Sequence, residues 1–243
     1  MIEKITSRQN RKIKEVIKLY DPKVRKEKGL FIVEGFHLLE MGLLSNAVKE
    51  IYTLKEVEGI KEDIKQYQIT TEILQKISKN KHPQSVIAVC KIPESNTKIS
   101  NHALYLDGIS DPGNMGTILR TALAFDYKTV IISKECVSIY NEKVIQASQG
   151  AIFKMNIVED NNHLLTLKES GYQIIATVLE NSVPIKSVNP KSKYVIVLGN
   201  EARGVSKKVQ EISDLKVRIE MDGIDSLNVG VAAGIAMYEL KNR

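Results

Sequence analysis

The sequence predicts an α/β protein built in two parts. Three observations predict it. Segments that read as strands alternate with segments that read as helices along the chain, with short connections, the pattern of layered α/β folds. Several strands, YVIVL at 194–198 most clearly, are continuously apolar, as strands buried in a parallel sheet are. A polar stretch without periodicity, PESNTKISNH at 93–102, separates two such runs. The division is therefore residues 1–95, a linker at 96–102, and residues 103–243. A chain of 243 residues, 43% hydrophobic and 26% charged, can bury one or two cores and is neither fibrous nor disordered in composition.

In the first part, Ser7 caps a helix running to about residue 20. Ile13, Val16, Ile17 and Tyr20 recur at spacings of three and four on one face, and Arg8, Arg11, Lys12, Lys14 and Lys18 occupy the other. Lys23, Arg25, Lys26 and Lys28 follow in a short loop. Then come a strand at 30–34, a helix at 35–44, a strand at 48–54, a helix at 57–66, a strand at 67–70, a helix at 71–78 and a strand at 86–91. The second part reads as strand 103–107, helix 115–125, strand 129–133, helix 142–148, strand 154–158, helix 164–169, strands 172–178 and 194–198, helix 206–212, strand 216–220 and helix 226–240.

Composition narrows the function classes. Cys90 and Cys136 lack CxxC spacing, which argues against a disulfide scaffold or a cysteine zinc site. His37, His82, His102 and His163 are scattered without ligand spacing, so no metal is expected. The start, MIEKITSRQNRKIK, has no apolar core of signal-peptide type. The longest small-apolar run, 229–238, is half the roughly 20 residues a membrane span needs. A cytoplasmic protein without membrane contact is expected. Trp is absent and aromatics are 5%, which leaves little for base-stacking platforms.

The net charge is +6, and it is unevenly placed. Residues 101–243 hold 16 basic and 16 acidic side chains, whereas residues 1–28 alone hold ten basic and four acidic. Such asymmetry points to an anionic partner, most often nucleic acid. Arg8, Arg11, Lys12, Lys14, Arg25 and Lys26 are the candidate phosphate contacts.

Three loops come after predicted strands of the second part, where open α/β sheets bind ligands: LDGISDPGNMGTILRTA (106–122), LGNEARGVS (198–206) and MDGIDSLNVGVAAG (221–234). Gly199 and Gly204 have the spacing of a phosphate-binding Walker loop, but Val205 stands where that loop needs lysine. Gly113 and Gly116 supply only part of a dinucleotide fingerprint. A plain strand-to-helix turn explains the glycines of any one loop. It does not explain the polar content of the three: Asn114, Arg120, Asn200, Glu201, Ser226 and Asn228 are expected to cluster at one sheet edge if the loops are neighbours.

These loops resemble the SPOUT methyltransferase superfamily, in its SpoU (TrmH-like) branch of RNA ribose 2′-O-methyltransferases. NMGTILRTALAF (114–125), LGNEARGVS (198–206) and IEMDGIDSLNVGVAAGIAMYE (219–239) match its three motifs. The first part, through RKEKGLFIVEGFHLLEMGL (25–43), resembles the small ribosomal-protein-type substrate-binding domain of many relatives.

The resemblance implies a trefoil-knotted, parallel-sheet domain that uses S-adenosylmethionine and works as a homodimer. It implies 2′-O-methylation of structured RNA, ribosomal RNA ahead of transfer RNA, or a non-catalytic RNA-binding or ribosome-assembly factor that keeps the fold. It assigns Asn114, Arg120, Glu201, Ser226 and Asn228 to catalysis, with Leu198, Gly199, Asn200, Gly204, Ile219, Met221, Ser226 and Leu227 around the cofactor. A guanidinium is a poor base, so Arg120 is expected to hold a phosphate and lower the hydroxyl's pKa by its charge. Asn114 and Ser226 could equally cap their helices, whereas Asn228 has less need to. Glu201 could take a proton or complement the sulfonium. Gln146 stands where relatives often carry arginine.

Overall fold

A computed structural model describes residues 2–160 and 162–243. It divides into two compact units. One contains the chain up to Glu94 together with Tyr140–Phe153; the other contains Ser95–Ile139 and Lys154–Arg243.

The first unit begins with a short strand, β1 (Glu3–Ile5), and helix α1 (Arg11–Lys18). Asn10, not Ser7, caps α1 by accepting a hydrogen bond from the Lys12 amide. The cationic stretch expected as a loop is helix α2 (Pro22–Lys28). Asp21 caps it, Pro22 opens it and Gly29 closes it at φ 62°, so its ends carry the signals that its middle, with Val24 as its one apolar side chain, lacks. Next come β2 (Leu30–Glu34), α3 (Phe36–Leu44), β3 (Val48–Thr53), β4 (Lys65–Ile69), α4 (Thr71–Ile77) and β5 (Val86–Lys91). The expected helix at 57–66 is absent. Gly59 turns at φ 72°, and the Gln66 side chain bonds both the amide and the carbonyl of Val57, which closes the segment as a loop.

The sheet of this unit is mixed, in the order β1-β4-β3-β5-β2, with β5 antiparallel to both neighbours. Ile13 and Val16 of α1, and Leu19 just after it, pack with Tyr52, Tyr67, Ile73 and Ile77 over one face. Helix α6 (Glu142–Ser148) and a 3₁₀ turn (Ala151–Phe153) belong to this unit although the sequence places them in the second part. Phe31 meets Tyr140 and Phe153 with ring centres 4.9 and 5.6 Å apart, which draws the segment in. Gln146 donates to the Glu34 carbonyl at 2.9 Å.

The second unit is a seven-stranded sheet, parallel throughout, in the order β10-β12-β9-β11-β6-β7-β8. Its strands are β6 (His102–Asp107), β7 (Thr129–Ile132), β8 (Asn156–Glu159), β9 (Gln173–Thr177), β10 (Val183–Pro184), β11 (Tyr194–Gly199) and β12 (Leu215–Arg218). Its helices are α5 (Pro112–Ala124), α7 (His163–Glu169), α8 (Lys207–Ile212) and α9 (Val229–Lys241). From β6 the chain runs outward one way to β7 and β8, then crosses to the other side of β6, where β9, β10, β11 and β12 are laid down in turn, β11 directly beside β6. The crevice beyond the carboxyl ends of β6 and β11 is thus the switch point where doubly wound sheets bind ligands. No helix among the described residues is long and apolar enough to cross a membrane.

Candidate active site

Strand β11 ends at Gly199, paired in register with Asp107 at the end of β6. The next residues form a tight loop. Asn200 and Gly204 exchange two backbone hydrogen bonds, at 3.1 and 2.9 Å, and Glu201 projects from the loop between them. Gly199 is required here. A Cβ on it would lie 2.1 Å from the Val205 nitrogen and 2.2 Å from the Gly204 carbonyl carbon, and backbone cannot move aside cheaply.

Glu201 ties its own loop to the loop that opens α5. Its carboxylate accepts from the amide and hydroxyl of Ser110 (3.2 and 2.9 Å), the amide of Asp111 (3.1 Å) and the side-chain amide of Asn114 (3.0 Å). Burial pushes the Glu201 pKa up, but these bonds outweigh it and hold the carboxyl down at about 2. Glu201 is therefore ionised at neutral pH and is a weak base. Asn114 does not cap α5; Asp111 does, accepting the Asn114 amide at 2.8 Å. The Asn114 side chain instead bridges Glu201 to Asn228, whose amide donates to Asn114 Oδ1 at 2.8 Å.

Asn228 corrects the expectation from sequence. Its Oδ1 accepts from the amides of Gly230 and Val231, so it caps α9 while its nitrogen holds Asn114. Capping and site architecture are one function in this residue. Ser226 does not cap and lies exposed beside the same opening.

The opening leads to a cavity of about 680 Å³, within the size range of small-molecule sites. Asn114, Gly199, Asn200, Glu201, Gly204, Ile219, Met221, Ser226, Leu227 and Asn228 all line it. Leu198 does not; it is 1% exposed, inside the core of the strand. Asn200 anchors its loop by donating to the Gly108 carbonyl at 2.7 Å and accepting from the amides of Ala202 and Arg203. Residues 177–181 and Arg218 also line the cavity, and the sequence reading missed both. Their available signal was position alone: each lies at or beyond the carboxyl end of a strand.

Arg120 stands apart. It is exposed on α5, six residues beyond Asn114 and on another side of the helix. It does not line the cavity and has no side-chain partner among the described residues. Among the cations proposed for RNA, Arg8, Lys14 and Lys26 are exposed and carry no ion pair among the described residues. Arg11 pairs with Glu15 at 2.9 Å. Lys12 lies 3.8 Å from Glu50 and 4.5 Å from the centre of the Tyr67 ring. Arg25 is 6% exposed, and its Nη1 donates to the carbonyls of Leu19 and Tyr20. That guanidinium fastens α1 to α2 and leaves the phosphate-binding set.

Residues 101–238 match the model of the SpoU rRNA Methylase family. The chain belongs to that family. Residues 10–88 match the MRM3-like substrate binding domain. The chain is 30% identical, over 99% of its length and 100% of the relative's, to the 23S rRNA (guanosine(2553)-2′-O)-methyltransferase RlmP of Bacillus subtilis. Among solved structures, the AdoMet-bound rRNA methyltransferase from Sinorhizobium meliloti is 25% identical over 99% of this chain and 98% of that one, with a TM-score of 0.89. The TrmH/SpoU tRNA modifying enzyme of A. aeolicus is 31% identical but covers only 58% of this chain, with a TM-score of 0.52.

Proposed function

We propose that this SpoU-family protein methylates a ribose 2′-hydroxyl of structured RNA, ribosomal RNA by preference, with S-adenosylmethionine as donor. The observation that carries the reading is the Glu201–Asn114–Asn228 chain, which joins three separate loops at the mouth of one cavity. The full-length similarity to a 23S rRNA enzyme, beside a partial one to a tRNA enzyme, favours ribosomal RNA.

The cavity fits the cofactor. Val178, Leu179, Ile219, Met221 and Leu227 offer apolar walls for an adenosyl group, and the backbone around Gly199 offers polar contacts. When bound, S-adenosylmethionine supplies an electrophilic methyl on a positive sulfonium. Ionised Glu201 complements that charge and keeps the mouth rigid. Ser226 and Asn114 orient the ribose, worth several kcal/mol when reacting atoms are aligned. Arg120 holds the adjoining phosphate and lowers the hydroxyl's pKa.

In this reading Arg120 serves a second subunit's cavity. It shares an exposed stripe of α5 with Thr117 and Ala124, and α9 alongside exposes Val231 and Tyr238 at 52% and 57%. An apolar face of this kind suits a homodimer. The trefoil threading of the last segment belongs to the same reading, as does work in the cytoplasm beside the ribosome. The exposed cations of the first unit hold RNA phosphates.

The test is methyl transfer from labelled S-adenosylmethionine to ribosomal RNA, with mapping of 2′-O-methyl positions in RNA from cells with and without the gene. One position lost with the gene supports the reading. Failure of millimolar S-adenosylmethionine to raise the melting temperature overturns it in favour of a non-catalytic RNA-binding factor.

A further inference from the structure

In the first unit a buried carboxylate does something the proposed chemistry does not require. Glu34 ends β2 and is 5% exposed. Its oxygens accept from the Ser78 hydroxyl at 2.9 and 2.8 Å, and one also accepts from the Gln84 amide at 2.8 Å. No cation pairs with it among the described residues. A buried carboxylate is costly to keep, and here all of it is spent on the two ends of one loop, residues 78–84. That loop, SKNKHPQ, has no acidic residue and exposes Lys79, Lys81 and His82. Lys79 Nζ sits 5.3 Å from the centre of the Tyr20 ring, and Lys76 donates to the Arg8 carbonyl, so the loop continues the cationic surface of α1.

The clamp also shapes the chain just after Glu34. Gly35 has φ 105°, and the Gln84 amide group covers it where a Cβ would be, 2.1 Å away. The chain then turns so that Phe36, first residue of α3, is 54% exposed, while Leu38 and Leu39 fill the core. A lone exposed apolar side chain is ordinary. Phe36 directly follows the glycine that the Gln84 side chain covers, so an exposed aromatic residue adjoins one end of a loop that carries lysines and no acid. Aromatic and cationic side chains together are the pairing used for unstacked bases of single-stranded RNA.

We propose that Phe36, with Lys79, Lys81 and His82 of the loop clamped by Glu34, forms a stacking site for an unpaired RNA base. The site rests on the reading that this protein acts on RNA. It is separate from the methyl-transfer cavity and gives the first unit a means of preferring loops to plain duplex.

The chain has no tryptophan, so Phe36→Trp creates a sole reporter. The full-length protein is titrated with a labelled single-stranded oligouridylate and with a duplex of equal length. Stacking of one base predicts that Phe36→Ala weakens single-strand binding about 5- to 150-fold. Duplex binding and thermal stabilisation by S-adenosylmethionine stay at wild-type levels. The Phe36→Trp protein keeps affinity, and its emission is quenched by the single strand and not by the duplex. Unchanged single-strand affinity in Phe36→Ala, with silent Phe36→Trp emission, overturns the stacking site while leaving the RNA reading intact. Loss of self-association in Phe36→Ala without loss of RNA affinity also overturns it, and assigns the face to a second copy. A wild-type protein that binds neither RNA brings down the RNA reading itself.

Discussion

The two units put polar side chains to opposite uses. In the second, the polar groups of the site bind one another: Glu201, Asn114 and Asn228 lie 87 to 114 residues from their partners and fix three loops. In the first, Arg8, Lys14, Lys26, Lys79 and Lys81 are exposed side chains that mostly leave their charges free, and the bonded polar groups, Glu34 and Arg25, lie beneath them. Methyl transfer needs groups held within a fraction of an ångström, so hydrogen bonds are invested in geometry. Phosphate binding needs charge within reach of a repeating backbone, which mobile side chains provide.

That contrast can be broken at its strongest point first. Gly199→Ala drives a Cβ into the backbone of its own loop. Overpacking of this sort costs about 1–3 kcal/mol, and thermal stabilisation by S-adenosylmethionine should disappear while RNA affinity survives. Asn114→Ala removes one of the two hydrogen bonds to Glu201 Oε1, leaving that of the Asp111 amide, and takes away the partner of the Asn228 side-chain amide. Misplacement by about 1 Å costs on the order of 10²-fold, so kcat should fall by that order, with little change in KM for the cofactor.

A matched pair in the first unit sharpens the contrast. Arg25→Ala removes two hydrogen bonds made by a buried guanidinium, which should lower stability by about 1–3 kcal/mol. It should not alter the salt dependence of RNA binding. Neutralising Arg8, Lys14 and Lys26 should do the reverse. Melting temperature should be unchanged, and the slope of log affinity against log salt should fall by about 0.7–0.9 for each phosphate no longer neutralised.

The smallest effect concerns pH. Glu201 is depressed from 4.5 to about 2. Its contribution to stability is therefore complete above about pH 4.5 and is lost as pH falls towards 2. Methyl transfer between pH 5 and 9 should show no inflection from this carboxylate. In an acid melt, Glu201→Gln should remove part of the stability loss below pH 4.5.

Most strands of both units are legible in the sequence because apolar runs such as LFIVE and YVIVLG have no other stable use. Two segments depart from the sequence expectation for opposite reasons. Val57, Ile60 and Ile64 imitate a helical stripe, yet Gly59 and the Gln66 side chain close a loop there. Residues 22–28 have no strong apolar stripe, and only the Asp21, Pro22 and Gly29 end signals reveal their helix. In the site, the motif residues are visible as loop polar groups, but the double duty of Asn228 is not. Its cap is a local bond, and its hold on Asn114 spans nearly half the chain.

The sequence alone determined the alternation of elements, the motif loops, the family resemblance and the concentration of charge in residues 1–28. Each is written in short-range pattern and composition. Tertiary structure decided which groups meet. It took 140–153 into the first unit through Phe31, buried Arg25, set Arg120 away from its own cavity and clamped a cationic loop with Glu34. Those outcomes depend on pairings that no local propensity encodes, most of them between residues tens of positions apart.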